Sequence, residues 1–440
     1  MSKSILQRLY YSDKNLTLSD YEQSRRMFLF EGATSVSIFS LTTGAYLAGF
    51  GKYLGASDSV NGIIGALPVL TCVIQMFSSM VFEKLPHRKF LISILCFLFR
   101  FLLGLMFFIP LMNLGKTANI TLVILIYGLA YSISAIISPP ASNWLVNLTP
   151  INIRGKYLAR KDAISLTFST IITLCLGKIL DILRNNNNEK MGFLVVGIFV
   201  MVLAVANFVS LSKVKEQKNL VNNEKIDLKV SLVEPLRNIT FRKVIYLSIF
   251  WNIALQIGGP FFSIYMVTGL KLSYSYIMVL GLIASVVRIF VAKYWGKMAD
   301  NKSWTFTTKI SLVVLALCHF LWMLASGPII YFLLPVIHVI AGVAWSGLAI
   351  SMFNLQFMFS PIEGRMMYLG MNASIGGIVG FITTLLASYL VNIFEGTHFY
   401  LLNISIGNVQ MLFGLSSVLL VGCFLYVHKF MNYNNLRNPG

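Results

Sequence analysis

Twelve apolar runs, each 22 to 25 residues long, occupy most of this 440-residue chain. They fall at 27–50, 59–82, 90–112, 119–141, 162–183 and 191–212, and then at 244–267, 274–295, 305–326, 328–352, 367–391 and 406–428. About 20 apolar residues are what an α-helix needs to cross a bilayer. Strands would be shorter and would alternate apolar with polar residues, which these runs do not. Only 12% of the residues are charged, about half the share of a soluble domain. A soluble enzyme, a disordered protein and a disulfide-stapled secreted module are thereby excluded. The reading is an all-α polytopic membrane protein with twelve spans.

The runs divide six and six around a polar break. The expected organisation is an N-terminal segment 1–26, a six-helix bundle 27–212, a linker 213–243, a second bundle 244–428 and a tail 429–440. The linker holds eight basic and four acidic residues, so it reads as solvated. Residues 1–24 lack the apolar stretch and cleavage site of a signal peptide; Ile5, Leu6, Leu9 and Tyr10 suit either a short interfacial helix or a tail. With an even number of spans, both termini and the linker share one side. That side carries 27 of the 35 basic residues, against Lys52, Lys116, Lys178, Arg184, Lys190 and Lys271 on the other. The positive-inside rule places it in the cytoplasm, with the protein in the cell's inner (plasma) membrane. The formal charge of +19 then faces anionic lipid headgroups, and no nucleic-acid partner is needed. Cys72, Cys96, Cys175, Cys318 and Cys423 lie singly in apolar runs, so no metal site is expected. Gly115-Lys116-Thr117 ends like a phosphate loop, but Pro110 stands where that loop needs glycine. No cofactor and no enzymatic activity are expected.

Two cytoplasmic motifs recur between the halves. After the fourth run come Asn143, Thr149-Pro150, Arg154 and Tyr157-Leu158; after the tenth come Asn354, Ser360-Pro361, Arg365 and Tyr368-Leu369. The pattern N-x5-[ST]-P-x3-R-x2-Y-L holds in both, as an internal duplication would give. After the eighth run stand Gly296, Met298, Ala299 and Asp300; the matching first-half loop has Ser79, Glu83, Lys84, Pro86 and Arg88. On these motifs the chain resembles the major facilitator superfamily, in its bacterial twelve-helix permease form, over residues 25–428. The resemblance implies two pseudo-symmetric six-helix bundles. It also implies that Glu83, Arg88, Arg154, Asp300 and Arg365 make charge contacts that close the cytoplasmic side; the alternative is that they only set topology. The signature loop is degraded in the first half, which weakens transfer of that role there.

In that fold the first, fourth, seventh and tenth helices line a central cavity. This points to Tyr46, Tyr127, Tyr131, Trp251, Asn252, Gln256, His338 and Trp345 as substrate contacts, with Phe39, Thr42, Thr43, Ser132 and Ser346 nearby. Asn252 and Gln256 share a helical face, and amides in hydrocarbon need partners; interhelical hydrogen bonding would satisfy them equally. Charges within spans are rare. Glu31, Arg100 and Arg288 are therefore candidates for proton coupling, either through a Glu31–Arg100 pair that exchanges protons or as a structural ion pair. His319 and His338 are further candidates. The functional expectation is a secondary transporter working by alternating access, moving a small neutral or amphipathic organic solute with proton coupling, and favouring export. It would act as a monomer among membrane lipids. A lipid or glycolipid flippase of the same fold, and a non-transporting receptor or scaffold, are the alternatives.

Overall fold

The computed structural model describes residues 16–82, 85, 87–216, 228–327, 330–361, 365–401 and 404–431. In chain order the helices are α1 (Leu18–Thr42), α2 (Gly44–Tyr53), α3 (Asp58–Thr71), α4 (Ser78–Phe82), α5 (Lys89–Leu105), α6 (Lys116–Asn147), α7 (Ile151–Asn185) and α8 (Glu189–Lys213). There follow α9 (Leu228–Arg237), α10 (Ile239–Gln256), α11 (Gly259–Ile264), α12 (Tyr274–Asn301), α13 (Trp304–Met323), α14 (Ile330–Phe359), α15 (Arg365–Ile393) and α16 (Asn408–Phe430), the last preceded by strands β1 (His398–Leu401) and β2 (Ile404–Gly407). Short 3-10 segments join α3 to α4 and extend α5 to Met112, and a π-helical turn extends α11 to Gly269. Among the described residues eleven helices are long and apolar enough to cross a membrane. The first span is the remaining one, diluted by Glu22, Arg25, Arg26 and Glu31.

That first span starts and breaks for readable reasons. Thr17 and Asp20 form a reciprocal capping box, so α1 begins at Leu18 rather than near 27. It stops at Thr43, which is extended, and Gly44 takes a φ of +58°, a region that suits glycine. The carbonyls left open at the break find hydroxyls. Thr42 Oγ1 donates to Ile38 O at 2.8 Å, Thr43 Oγ1 to Phe39 O at 2.7 Å, and Tyr127 OH to Thr42 O at 3.2 Å.

The chain forms two compact units. The first comprises Met1–Ala56, Thr71–Ile226 and Ser273–Ser275; the second comprises Ser57–Leu70, Asp227–Leu272 and Tyr276–Gly440. In the first unit α1 packs on α7 and α8, and α5 on α6 and α8. Phe28, Phe82, Ile92, Cys96, Trp144, Leu211 and Val214 form a buried core cluster. Val214 belongs to the stretch expected to be solvated. Instead, residues 214–216 are strapped down. Lys215 N donates to Ser24 Oγ and Trp144 Nε1 to Lys215 O, both at 3.0 Å. Glu216 accepts from Arg88 N at 2.9 Å and Lys89 N at 3.0 Å, so its carboxylate caps the open N-terminal donors of α5. Glu216 is only 5% exposed, and burial raises its carboxyl above the usual range despite those bonds. At the other end of this unit Asp181 accepts from Tyr274 N, Ser275 N and Ser275 Oγ at 2.6 to 2.8 Å.

In the second unit α10 packs on α15 and α16, and α13 on α14 and α16. The linker contributes α9, which lies on α15, where Tyr368 OH meets Glu234 Oε1 at 3.3 Å. Strands β1 and β2 pair antiparallel, with His398 opposite Gly407 and Leu401 opposite Ile404. Neither element is anticipated by the apolar pattern, because both fall between spans.

Candidate functional site

Four helices of the first unit converge on Glu31. From α1, Glu31 Oε1 meets Arg100 of α5 at 3.1 Å and also accepts from Ser35 Oγ. Glu31 Oε2 faces Lys161 Nζ of α7 at 3.5 Å. Arg100 is held further by Ser35 Oγ at 2.6 Å and by Asn207 Oδ1 of α8. The Asn207 amide then donates to Thr34 Oγ1 at 2.8 Å, Glu31 O at 3.1 Å and Ser35 Oγ at 3.2 Å. The side chains of Arg100, Glu31 and Lys161 are 8%, 14% and 18% exposed. Two cations thus share one carboxylate, away from water. Charges buried this way persist only when paired and hydrogen-bonded, and a carboxylate so placed can take up a proton when its partners separate. The sequence suggested Glu31 and Arg100 but not Ser35, Lys161 or Asn207. An amide inside an apolar run was the available signal for Asn207; Lys161 passed as a loop charge.

The tyrosines of this unit sit differently from expectation. Tyr46 and Tyr127 are fully buried. Tyr46 OH donates to Thr173 O at 2.6 Å, and its ring stacks on Tyr274 at 5.8 Å. Tyr127 caps the broken α1, and half-buried Tyr131 packs on it at 4.7 Å. Thr42 and Thr43 likewise serve the break. These hydroxyls are spent on backbone carbonyls: Tyr46 on Thr173 and Tyr127 on Thr42.

In the second unit Trp251 of α10 and Trp345 of α14 meet edge to face at 6.0 Å. Trp345 is exposed and Trp251 half-buried. Asn252 donates to Ser248 O at 2.8 Å and lies tight against Gly376 and Gly380 of α15, so its amide is used in helix packing. Half-buried Gln256, one turn on, makes no side-chain hydrogen bond among the described residues. His338 Nδ1 faces Leu334 O at 2.8 Å, so that nitrogen carries the hydrogen and Nε2 is a base. His319 is buried among Phe262, Trp322 and Phe413. Its Nδ1 meets Ser416 Oγ at 2.7 Å, and Ser416 donates to Ala254 O. Ser416 has one hydrogen to give, so His319 Nδ1 must donate to it. Arg288 is exposed on α12 and has no ion pair among the described residues.

Of the expected cytoplasmic charges, Arg88 contributes its backbone N–H to Glu216, while its Nε is buried without a partner among the described residues. Asp300 is exposed near the end of α12. Glu83 and the side chains of Arg154 and Arg365 lie outside the described residues.

Comparison with known proteins decides the family. The profile of the Major Facilitator Superfamily matches residues 29–384. The chain belongs to the Major Facilitator Superfamily. Solved structures agree on the fold. The nucleoside transporter NupG aligns at a TM-score of 0.63 and 15% identity, covering 94% of this chain and all of the other. The inward-open xylose transporter XylE of E. coli gives 0.62 and 15%, covering 94% and 96%. A bacterial homologue of the human lysosomal transporter Spinster gives 0.60 and 12%, covering 94% and 97%. A search of curated protein sequences found no match. This superfamily member is an integral membrane transporter, not an enzyme.

Proposed function

We propose that this superfamily member is a secondary transporter, carrying a small neutral or amphipathic organic solute by alternating access and exchanging protons at Glu31. The observation that carries this reading is the Glu31 carboxylate shared between Arg100 and Lys161 on two other helices. Taking up a proton there removes the charge that holds both cations. The indole pair of Trp251 and Trp345 and the free amide of Gln256 support an uncharged solute with a ring or hydroxyl groups. Asp300, with Arg88, Arg154, Arg365 and Glu83, would close the cytoplasmic side.

Proteoliposomes with a trapped pH dye and radiolabelled sugars, nucleosides, amino acids and lipophilic amines test this. Solute flux with a matching pH change is expected, and the sign of the gradient that drives it gives the direction. Glu31→Gln should keep solute binding and lose the pH change, whereas Asp300→Asn should slow flux several-fold at unchanged affinity. Flux without any pH change refutes the coupling. A wild-type pH signal from Glu31→Gln refutes Glu31 as the carrier.

A further inference from the structure

The two oxygens of Glu31 are not equivalent. Oε1 is occupied by the Arg100 guanidinium and the Ser35 hydroxyl, and Arg100 is itself fixed by Asn207 and Ser35. Oε2 has a single partner among the described residues, the ammonium of Lys161 at 3.5 Å. Lys161 stands beside Arg160, where its span begins, on a long stem that can withdraw toward water. Its stem passes over residue 32, where glycine leaves the space it occupies. A Cβ on Gly32 would lie 2.8 Å from Lys161 Cε and 2.6 Å from Ser165 Oγ.

We infer that Lys161 is the positioning residue of the proton site: Glu31 is protonated on Oε2, Lys161 is released, and Arg100 stays in place. This rests on the assignment of Glu31 as proton carrier. A hydronium ion gives one proton to the Oε2 lone pair, its own O–H bond breaking to leave water, and the product is a neutral carboxylic acid whose O–H lies where Lys161 pointed. The charge left on Arg100 keeps its hydrogen bonds to Asn207 and Ser35. Among the described residues Lys161 has no second carboxylate holding it, so the α1–α7 contact loosens while α1, α5 and α8 stay joined. The other titratable groups facing Glu31 are Cys96 and Arg100 on α5 and Tyr157 on α7. From α8 the facing group is Asn207, which does not titrate. Lys161 is thus the one cation whose departure can set the proton affinity without dismantling the cluster.

Infrared difference spectroscopy of the whole protein in lipid, titrated with acid and no solute added, reads the proton directly. The carbonyl band of a protonated carboxyl that vanishes in Glu31→Gln belongs to Glu31. A cation within about 4–6 Å lowers a carboxyl by about 1–3 pH units; Lys161 is partly exposed, so Lys161→Gln should raise the midpoint by about one unit. Lys161→Arg should restore it. Gly32→Ala, which displaces the stem but keeps every charge, should shift it the same way. If no band depends on Glu31, the proton-carrier assignment fails and this inference with it. If the band titrates with one midpoint in wild type, Lys161→Gln and Gly32→Ala, Glu31 remains the carrier and only the role of Lys161 is overturned.

Discussion

Replacing Glu216 with alanine removes the acceptor of two backbone donors, Arg88 N and Lys89 N, where α5 begins. Among the described residues nothing local replaces it, since Arg88 at the N-cap makes no side-chain cap bond. A buried donor left unpaired costs about 1–3 kcal/mol. We expect about 2 kcal/mol for the pair, near the upper range for losing an N-cap. For a unit of this size that is about 4–8 °C in Tm. Glu216→Gln should lose less, because it keeps one acceptor and buries no charge.

The pH dependence has a definite sign. Burial raises the folded carboxyl above its ordinary value of 4.5. Its stabilising contribution is therefore complete below that value and is lost as pH rises through the raised one. The Tm gap between wild type and Glu216→Gln should be wider at about pH 4.5 than at about pH 7.5. Tryptophan fluorescence during heating at one fixed rate measures both, with Trp144 beside the strap as reporter. An alanine variant within about 1 °C of wild type would refute the capping argument. A gap that widens with rising pH would show that the hydrogen bonds to the ionised form outweigh burial.

Three further outcomes follow from the packing. Gly49→Ala would place a Cβ 1.7 Å from the Tyr274 hydroxyl oxygen, costing about 1–3 kcal/mol; adding Tyr274→Ala should erase most of that penalty, and simple additivity of the two melting shifts would contradict the clash. Arg100→Gln takes the guanidinium from Glu31 Oε1 and Asn207 Oδ1 and should cost about 3–5 kcal/mol; a near-native Tm would mean that the network adds no stability. Gln256→Ala should weaken solute binding by about 2–10-fold, the worth of one hydrogen bond, at unchanged Tm, whereas Asn252→Ala should lower Tm and spare affinity. The reverse pattern in equilibrium binding and melting would exchange their roles.

The spans were legible because a bilayer demands one long apolar segment per crossing, and observed helices overlap every run. The Glu31–Arg100 pairing was legible for the same reason, since two opposite charges in hydrocarbon have few other partners. Features made by distant backbone were not. Nothing in Lys-Val-Lys-Glu at 213–216 says that Glu216 will meet the start of α5, more than a hundred residues earlier. The roles of Tyr127, Thr42 and Thr43 also depended on a break in α1 that the apolar run does not mark. Nothing in a run of tyrosines and threonines tells a hydroxyl bonded to backbone from one that is not. Asn252 and Gln256, alike in sequence, were separated only by the Gly376 contact and the Ser248 hydrogen bond that the first makes and the second does not.

A rod cut partway along does not pass torque from one end to the other. The hydrogen-bond ladder of the first span is interrupted at Thr43–Gly44, leaving Glu31 on one piece and Tyr46 and Gly49 on the other. On the inference above, the release of Lys161 acts on the piece bearing the carboxylate, and the piece whose Tyr46 stacks on Tyr274 lies beyond the break. A change of charge at Glu31 therefore has no continuous helical ladder through which to reach the packing at the other end.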